Sequence, residues 1–334
     1  MTEPARRAFP VRVAAIDAGS NAIRFVVADF AAPDSYTIVH KLREPIRLGH
    51  RVFTDGDLDD ETMARAVAAF RVFRRKIDGL GVERFRAVAT SATREASNRD
   101  RFLDTVHAES DIVLEPISGA EEARLVHRAV RSRVDLSRGR WILADLGGGS
   151  VEISVVDETG ILWSESYRLG TVRLLETLAA AAGCHESLRA WVRHQLQALI
   201  IPPPRAYRGP TAFAATGGNI VAIAKLAVGY LDPLKPATMP TSRLDAVIHM
   251  LTSMTVTERI RELALRPDRA DVILPAAMVY RYLAQFVHAE HIVVPRVGVK
   301  EGVLLETAAG AATTPTDVCV SAGSRGQECR QGPG

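Results

Sequence analysis

The chain carries the same pattern twice, in VRVAAIDAGSNAIRFVVAD (residues 11–29) and in LADLGGGSVEISVVD (residues 143–157). Each stretch has an apolar segment, an Asp-x-Gly turn of small residues, and a segment in which apolar side chains alternate with others. When Asp17 is aligned with Asp145, the alternation in the two second segments stays in phase. A period of two is typical of a strand with two different faces. The repeat predicts two similar β-hairpins, and hence two similar domains with a cleft between them.

Helix and strand patterns alternate around these hairpins, which predicts an α/β fold. Before the second hairpin we expect helices over 57–78, 98–108 and 119–133, and strands over 84–90 and 111–117. After it we expect helices over 171–182 and 185–199, a mostly helical region over 241–290, and strands over 212–215 and 291–294. The domains are predicted to span 1–130 and 131–310. The polar tail at 311–334 is expected to be disordered.

The composition is that of a globular protein, with 47% apolar and 24% charged residues. The sequence pI of about 8.9 fits a polyanionic ligand, because arginine supplies most of the positive charge and binds phosphate bidentately. No apolar run long enough to span a membrane is present, so we expect no membrane partner. We expect no nucleic-acid partner either. Cys184, Cys319 and Cys329 lack the spacing of a metal site or a disulfide framework, which favours a cytoplasmic protein.

Both glycine turns are candidate phosphate sites. The candidate phosphate-binding residues are Gly19, Ser20 and Asn21 in the first turn, and Gly147, Gly148, Gly149 and Ser150 in the second. Glycine lets the backbone approach a phosphate closely, and successive N–H groups in such turns form an anion-binding nest. Because an aspartate does not bind phosphate without a cation, Asp17 and Asp145 are candidate Mg²⁺ ligands. One turn alone could be an ordinary β-turn, but two in matching frames, each led by Asp, favour a phosphate site.

Two glutamates near the turns are candidates for the chemistry. Ser118 and Glu121 have the spacing of a capping box, so Glu121 is assigned to the helix end. Glu122 has no comparable role in capping the helix. It is the candidate general base for an attacking water, and the alternative is a solvated helix residue. Glu152 follows the second turn at the phase that Arg24 has after the first. It is either a metal ligand or water-orienting group, or an exposed strand residue.

Two weaker motifs follow predicted strands. Residues 90–94 (TSATR) open a helix, where the helix N-terminus and Arg94 would grip a phosphate, or where a simple cap would stand. Gly217 and Gly218 would contact a phosphate or nucleotide, or form an ordinary turn. The sequence lacks the Walker A and dinucleotide fingerprints and the Gly-x-Ser-x-Gly elbow.

Further motifs accompany the hairpins in a fixed order. They are AAIDAGSNAIRFVVAD (14–29), IRLGHRV (46–52), ATSATREA (89–96), ISGAEEARL (117–125), LADLGGGSVEISV (143–155), RLGTVRLLE (168–176), AATGGNIVAI (214–223), RADVILPAAMV (269–279) and VGVKEGVL (297–304). Together they resemble the Ppx/GppA family of exopolyphosphatases and guanosine pentaphosphate phosphohydrolases. The resemblance implies two ribonuclease H-like domains of the actin/Hsp70/sugar-kinase superfold. It also implies an active site between them that uses Mg²⁺, or Mn²⁺ in its place.

The resemblance also implies roles for single residues. Glu122 stands at the position of the catalytic base and Arg94 at that of a phosphate-binding arginine. Asp145, Gly147 and Glu152 stand at metal- and phosphate-site positions.

The implied activity is stepwise release of orthophosphate from inorganic polyphosphate by a homodimeric enzyme. Three alternatives stay open: hydrolysis of the alarmone pppGpp at the same site, a sugar kinase or ATPase of the same superfold, and a non-catalytic phosphate sensor. The sensor remains open because Ala22 and Val151 replace the usual Ser and Thr of the two turns.

Overall fold

The computed structural model of the chain describes residues 9–137, 139–180, 190, 192–194, 196, 197, 211–232 and 235–310. The tail at 311–334 and most of the predicted helix at 185–199 lie outside these residues. Two mixed β-sheets, each covered by helices, make up the described part.

The first sheet has five strands in the order β3-β2-β1-β4-β5. Their bounds are β1 Val11–Ala18, β2 Ile23–Ala32, β3 Ser35–Glu44, β4 Arg84–Ala89 and β5 Leu114–Pro116. Strands β1 and β2 form the predicted hairpin, with Ala18 opposite Ile23. Strand β3 continues the antiparallel pairing, whereas β4 and β5 run parallel to β1.

The second sheet has six strands in the order β10-β11-β9-β6-β7-β8. Their bounds are β6 Arg140–Leu146, β7 Val151–Asp157, β8 Gly160–Tyr167, β9 Thr211–Thr216, β10 Ala237–Pro240 and β11 His291–Val294. Strands β8-β7-β6-β9-β11 repeat the order and directions of the first sheet, and β10 adds an antiparallel edge. The predicted internal repeat is therefore a repeat of whole sheets.

Twelve helices surround these sheets in the described part. The first six are α1 Val52–Asp55, α2 Asp60–Gly79, α3 Ser91–Glu95, α4 Arg99–Ser110, α5 Gly119–Arg131 and α6 Thr171–Ala180. The others are α7 Gly218–Val228, α8 Ser242–Thr252, α9 Val256–Glu262, α10 Pro267–Ala270, α11 Ile273–Phe286 and α12 Val299–Ala308. We call residues 11–116 the first lobe and residues 140–294 the second lobe, since each set packs its own core.

Helix boundaries follow the local capping groups. Helix α2 begins three residues after its predicted start because Asp59 is its N-cap and accepts the backbone N–H of Thr62 at 2.8 Å. Ser118 caps α5 and accepts the N–H of Glu121 at 3.1 Å. The predicted start of α5 is confirmed, and its first turn brings Glu122 to the junction of the lobes.

Helices α5 and α12 cross between the two lobes. Helix α5 follows the first sheet but also packs on β7 and β8, whereas α12 follows the second sheet and packs on β1 and β4. A Cβ atom on Gly302 of α12 would lie 2.2 Å from the carbonyl oxygen of Leu125 on α5, so only glycine permits this crossing. Each helix thus joins one lobe to the other. The predicted domain boundaries, 1–130 and 131–310, stay a prediction. None of the helices in the described ranges is long and apolar enough to cross a membrane.

Candidate active site

The ends of β1 and β6 open into a cleft between the two sheets. The predicted residues that line it are Asp17, Gly19, Ser20, Asn21, Glu122, Asp145, Gly147, Gly148, Ser150, Gly217 and Gly218. Arg94, Gly149 and Glu152 are next to this lining rather than part of it. The fold thus brings residues far apart in the sequence to one site.

Glu122 projects from the first turn of α5 and is only 4% exposed. Arg94 fixes it, because one guanidinium nitrogen of Arg94 donates both to Glu122 Oε1 and to the carbonyl oxygen of Ile117, each at 2.6 Å. Burial and the nearby charge of Glu152 raise the pKa of Glu122 well above its ordinary value, and Arg94 opposes this shift. The alternative of a solvated helix residue is therefore wrong. A buried, oriented carboxylate with a raised pKa suits proton transfer near neutral pH.

Asp145 is the penultimate residue of β6 and lies at the cleft. Thr216 Oγ1 donates to Asp145 Oδ1 at 2.7 Å, and Tyr280 donates through its hydroxyl to the carbonyl oxygen of Thr216 at 2.6 Å. Burial raises the pKa of Asp145 to about 6, although the Thr216 hydrogen bond opposes the shift. Gly217 turns the chain beside it with φ of 100°, and a Cβ atom there would lie 2.7 Å from the carbonyl oxygen of Leu146. This turn requires glycine.

Glu152 lies directly across the hairpin from Asp145 and is 2% exposed. The hydroxyl of Ser166 donates to Glu152 Oε1 at 2.8 Å. Burial, followed by the charge of Asp145, raises the pKa of Glu152 to about 7, and hydrogen bonds from Ser150 and Ser166 oppose the shift. The alternative of an exposed strand residue is wrong.

The first hairpin carries a different pair at the equivalent positions. Arg24 is opposite Asp17 in the register, and Arg24 Nη1 lies 3.2 Å from Asp17 Oδ2. The predicted match in phase between Arg24 and Glu152 is confirmed. The first hairpin therefore contributes an ion pair to the cleft, whereas the second contributes the carboxylate of Asp145, with the carboxylate of Glu152 next to the lining and repelling it.

The carboxylates fit a divalent cation that is shared with a substrate. Asp17, Glu122, Asp145 and Glu152 are all buried, and a cation would lower the free-energy cost of ionising those whose pKa is raised. Among the described residues, no three Asp, Glu, His or Cys side chains converge into a complete ligand set. Mg²⁺ does not need one, since it is commonly bound by one or two carboxylates while waters and substrate phosphates complete its octahedron.

The two glycine turns touch each other at the base of the cleft. A Cβ atom on Gly148 would lie 2.9 Å from Ser20 Cβ and 3.1 Å from the backbone nitrogen of Asn21. The Ser20 hydroxyl accepts the N–H of Ala92 at 3.2 Å, which ties the first turn to the start of α3. Within the turns, the N–H groups of Gly19 and Gly147 donate to the carbonyl oxygens of Ala22 and Ser150, at 3.2 and 3.0 Å, so these two groups are already paired.

Asn21 belongs to a set of polar contacts between the lobes. Its amide nitrogen donates to the carbonyl oxygen of Asp268 at 2.8 Å, and its amide oxygen accepts from Arg47 at 2.9 Å. Arg47 also pairs with Asp271 at 2.9 Å, and Arg43 pairs with Asp268. The Asn21 side chain thus joins the first turn to the region of α10.

Sequence reasoning missed a group of cations on the cleft wall. They are Arg43, Arg269, Arg296 and Lys300. Burial, followed by the positive charges of Arg266 and Arg43, lowers the pKa of Arg269 to about 10. Arg269 lies in the motif at 269–279 and Lys300 in the motif at 297–304, so the family motifs could have identified both. Arg43 lies on β3, a strand whose exposed faces leave little periodic signal.

The sheet topology and the cleft define a protein of the actin/Hsp70/sugar-kinase superfold, with two ribonuclease H-like sheets facing an active-site cleft. The model of the Ppx/GppA phosphatase family matches residues 26–310. The chain belongs to this family.

Individual relatives agree with this assignment. The chain is 33% identical over 292 residues to exopolyphosphatase 2 of Mycobacterium tuberculosis, with 82% of this chain and 90% of the relative covered. A crystal structure of an exopolyphosphatase from Cytophaga hutchinsonii is similar at a TM-score of 0.82 and 26% identity, covering 90% of this chain and 98% of the other. A Ppx/GppA family member from Aquifex aeolicus has a similar fold, at a TM-score of 0.72 and 24% identity over 89% of this chain and 97% of the other.

Proposed function

We propose that the chain is an exopolyphosphatase that hydrolyses the terminal phosphoanhydride bond of inorganic polyphosphate. The observation that carries the proposal is Glu122, a buried carboxylate that Arg94 orients at a cleft lined by two glycine turns. The names of the Mycobacterium tuberculosis and Cytophaga hutchinsonii relatives support the choice of substrate.

In the proposed reaction, the terminal phosphate sits between the two glycine turns, where backbone N–H groups other than those of Gly19 and Gly147 would face its oxygens. Glu122 accepts a proton from water as the water oxygen attacks the terminal phosphorus in line. The bond from that phosphorus to the bridging oxygen breaks, and orthophosphate and a shortened chain leave. Catalysis of this type depends mainly on positioning and charge stabilisation.

Asp145 and Glu152, with Asp17 nearby, would hold Mg²⁺, or Mn²⁺ in its place. When bound, the cation supplies charge neutralisation for the phosphate. Hydrogen bonds within the protein orient the two carboxylates: Thr216 donates to Asp145, and Ser166 donates to Glu152.

The cleft wall supports a polyanionic substrate. Burial lowers the pKa of Arg269, the positive charges of Arg266, Arg43 and Arg24 lower it further, and Asp268 opposes the shift. Phosphate oxygens of the remaining chain would relieve this repulsion, since guanidinium groups bind phosphate bidentately. Arg94 contributes indirectly, because its guanidinium group donates to Glu122 and to the carbonyl oxygen of Ile117, just after β5.

Glutamine substitutions at two neighbouring residues test the base. We expect Glu122→Gln to lower phosphate release from polyphosphate of defined length by at least about 100-fold, the usual contribution of a general base. Glu121→Gln is the matched control, because Glu121 is adjacent in α5 but pairs with Arg86 and Arg124 rather than with Arg94. Its activity should stay within a few-fold of the wild type. A folded Glu122→Gln protein with activity close to the wild type would refute the assignment.

Substrate choice needs side-by-side turnover of polyphosphate, pppGpp and ATP. Faster turnover of pppGpp would favour the alarmone, and ATP-dependent phosphorylation of a sugar would favour a kinase. Calorimetric binding of polyphosphate without turnover in Mg²⁺ would favour the non-catalytic sensor. The homodimeric state and the cytoplasmic location remain predictions from the sequence.

A further inference from the structure

Arg173, in the first turn of α6, joins the second glycine turn to the first lobe. Its Nε donates to the carbonyl oxygen of Gly149 at 2.8 Å, and its Nη2 donates to Glu95 Oε1 at 2.7 Å. The guanidinium carbon lies 3.9 Å from the centre of the Phe53 ring, in cation–π contact. Only 13% of the Arg173 side chain is exposed. A single buried guanidinium therefore contacts a turn of the second lobe and two side chains of the first.

The packing of Gly149 shows how closely this turn fits. A Cβ atom on Gly149 would lie 2.4 Å from Phe53 Cζ and 2.4 Å from Ser91 Oγ. On its other side the turn meets the start of α6, where the N–H of Val172 donates to the carbonyl oxygen of Gly148 at 2.8 Å. The turn is thus held between α6 and the first lobe, and Arg173 contacts both sides of this junction.

The same contacts lead to the base. Glu95 and Arg94 are neighbours in α3, a helix of five residues, and Arg94 holds Glu122 at 2.6 Å. A shift of α3 relative to the glycine turn would therefore move the orienting arginine of the base. Misplacement by about 1 Å can cost about 100-fold in rate.

We infer that Arg173 is a positioning residue that fixes the position of the second glycine turn relative to α3, and so aligns the phosphate site with Glu122. Its effect on catalysis rests on the proposed phosphatase function, whereas its effect on the geometry of the turn does not. Arginine suits this role because its rigid planar fork reaches two acceptors while its face covers an aromatic ring.

Arg168 provides a matched control. It pairs with the same carboxylate, with Nη2 2.5 Å from Glu95 Oε2, but its side chain is 74% exposed. If pairing with Glu95 were all that mattered, substitution of either arginine would have a similar effect. If contact with the turn matters, only Arg173 is sensitive.

The experiment compares Arg173→Met, Arg173→Lys and Arg168→Met in two assays. We expect both Arg173 variants to lower kcat for polyphosphate at least tenfold while KM changes less than threefold, and Arg168→Met to leave both within threefold. Hydrogen exchange should quicken in the segments at 145–151 and 91–96 in the Arg173 variants alone. If Arg173→Met does not fold, Arg173→Lys decides, since it keeps the charge and most of the volume.

Two results would overturn the inference. One is an Arg173→Lys protein with kcat within threefold of the wild type and unchanged exchange in both segments. The other is an Arg168→Met protein whose kcat falls as much as that of Arg173→Met. A wild-type protein that releases no phosphate from polyphosphate would instead count against the proposed function, and the exchange comparison would still decide the role of Arg173.

Discussion

Replacing Glu152 with glutamine should stabilise the protein while impairing its activity. Glu152 is 2% exposed and faces Asp145 across the hairpin, so its ionised form is disfavoured in the folded state. Glutamine has nearly the same shape, and its amide oxygen can still accept the hydrogen bond that Ser166 gives to Glu152 at 2.8 Å. The substitution therefore removes mainly the free-energy cost of a buried charge.

The size of the effect follows from the pKa shift. Folding raises the pKa of Glu152 from its ordinary 4.5 to about 7. Between these values the folded state binds more protons than the unfolded state, so the free energy of unfolding of the wild type falls as pH rises. Since one pKa unit corresponds to about 1.4 kcal/mol, the stability gain of Glu152→Gln should be about 1 kcal/mol at pH 5 and about 3 kcal/mol at pH 8.

Urea unfolding at pH 5 and pH 8, with a chelator present, measures this difference. A chelator is needed because a bound divalent cation would favour the ionised carboxylate and mask the cost. The expected outcome is a gain in unfolding free energy that grows with pH, together with reduced phosphate release in Mg²⁺. A gain that is equal at the two pH values, or a variant less stable than the wild type at pH 8, would refute the reasoning.

The glycine turns and the base could be predicted because their signals are local. Asp17 and Asp145 are each the penultimate residue of a strand that leads into a turn of small residues, and their equivalence follows from the alternation of the next strand. The capping-box spacing separates Glu122 from Glu121; the structure confirms that Ser118 caps the helix, whereas the Glu121 carboxylate pairs with Arg86 and Arg124. Patterns within a few neighbouring residues are therefore enough to predict the two turns and the candidate base.

Two strands and the cleft cations could not be predicted in the same way. Strands β3 and β8 lie at sheet edges and are partly exposed on both faces, so their apolar residues do not alternate. The roles of Arg43 and Arg173 depend on Asp268 and Glu95, which lie in the opposite lobe. Nothing in the local sequence marks such a pair, because the packing of the two lobes creates the contact.

Two further predictions concern stability. The double variant with Asp145→Asn and Glu152→Gln should be stabilised by less than the sum of the two single variants, because each charge raises the free-energy cost of the other. A double-mutant cycle at pH 8 measures this coupling free energy, and strict additivity would contradict it. Gly302→Ala should destabilise by about 1–3 kcal/mol or more, because its Cβ would lie 2.2 Å from the carbonyl oxygen of Leu125 and backbone atoms cannot yield as side-chain ends do. Gly79→Ala, at the end of α2, is the matched control: its Cβ would meet open space, so thermal unfolding should show a gain of roughly 0.4–1 kcal/mol from the less flexible unfolded chain. Equal effects of the two alanine substitutions would mean that the crossing of α5 and α12 does not depend on the missing side chain.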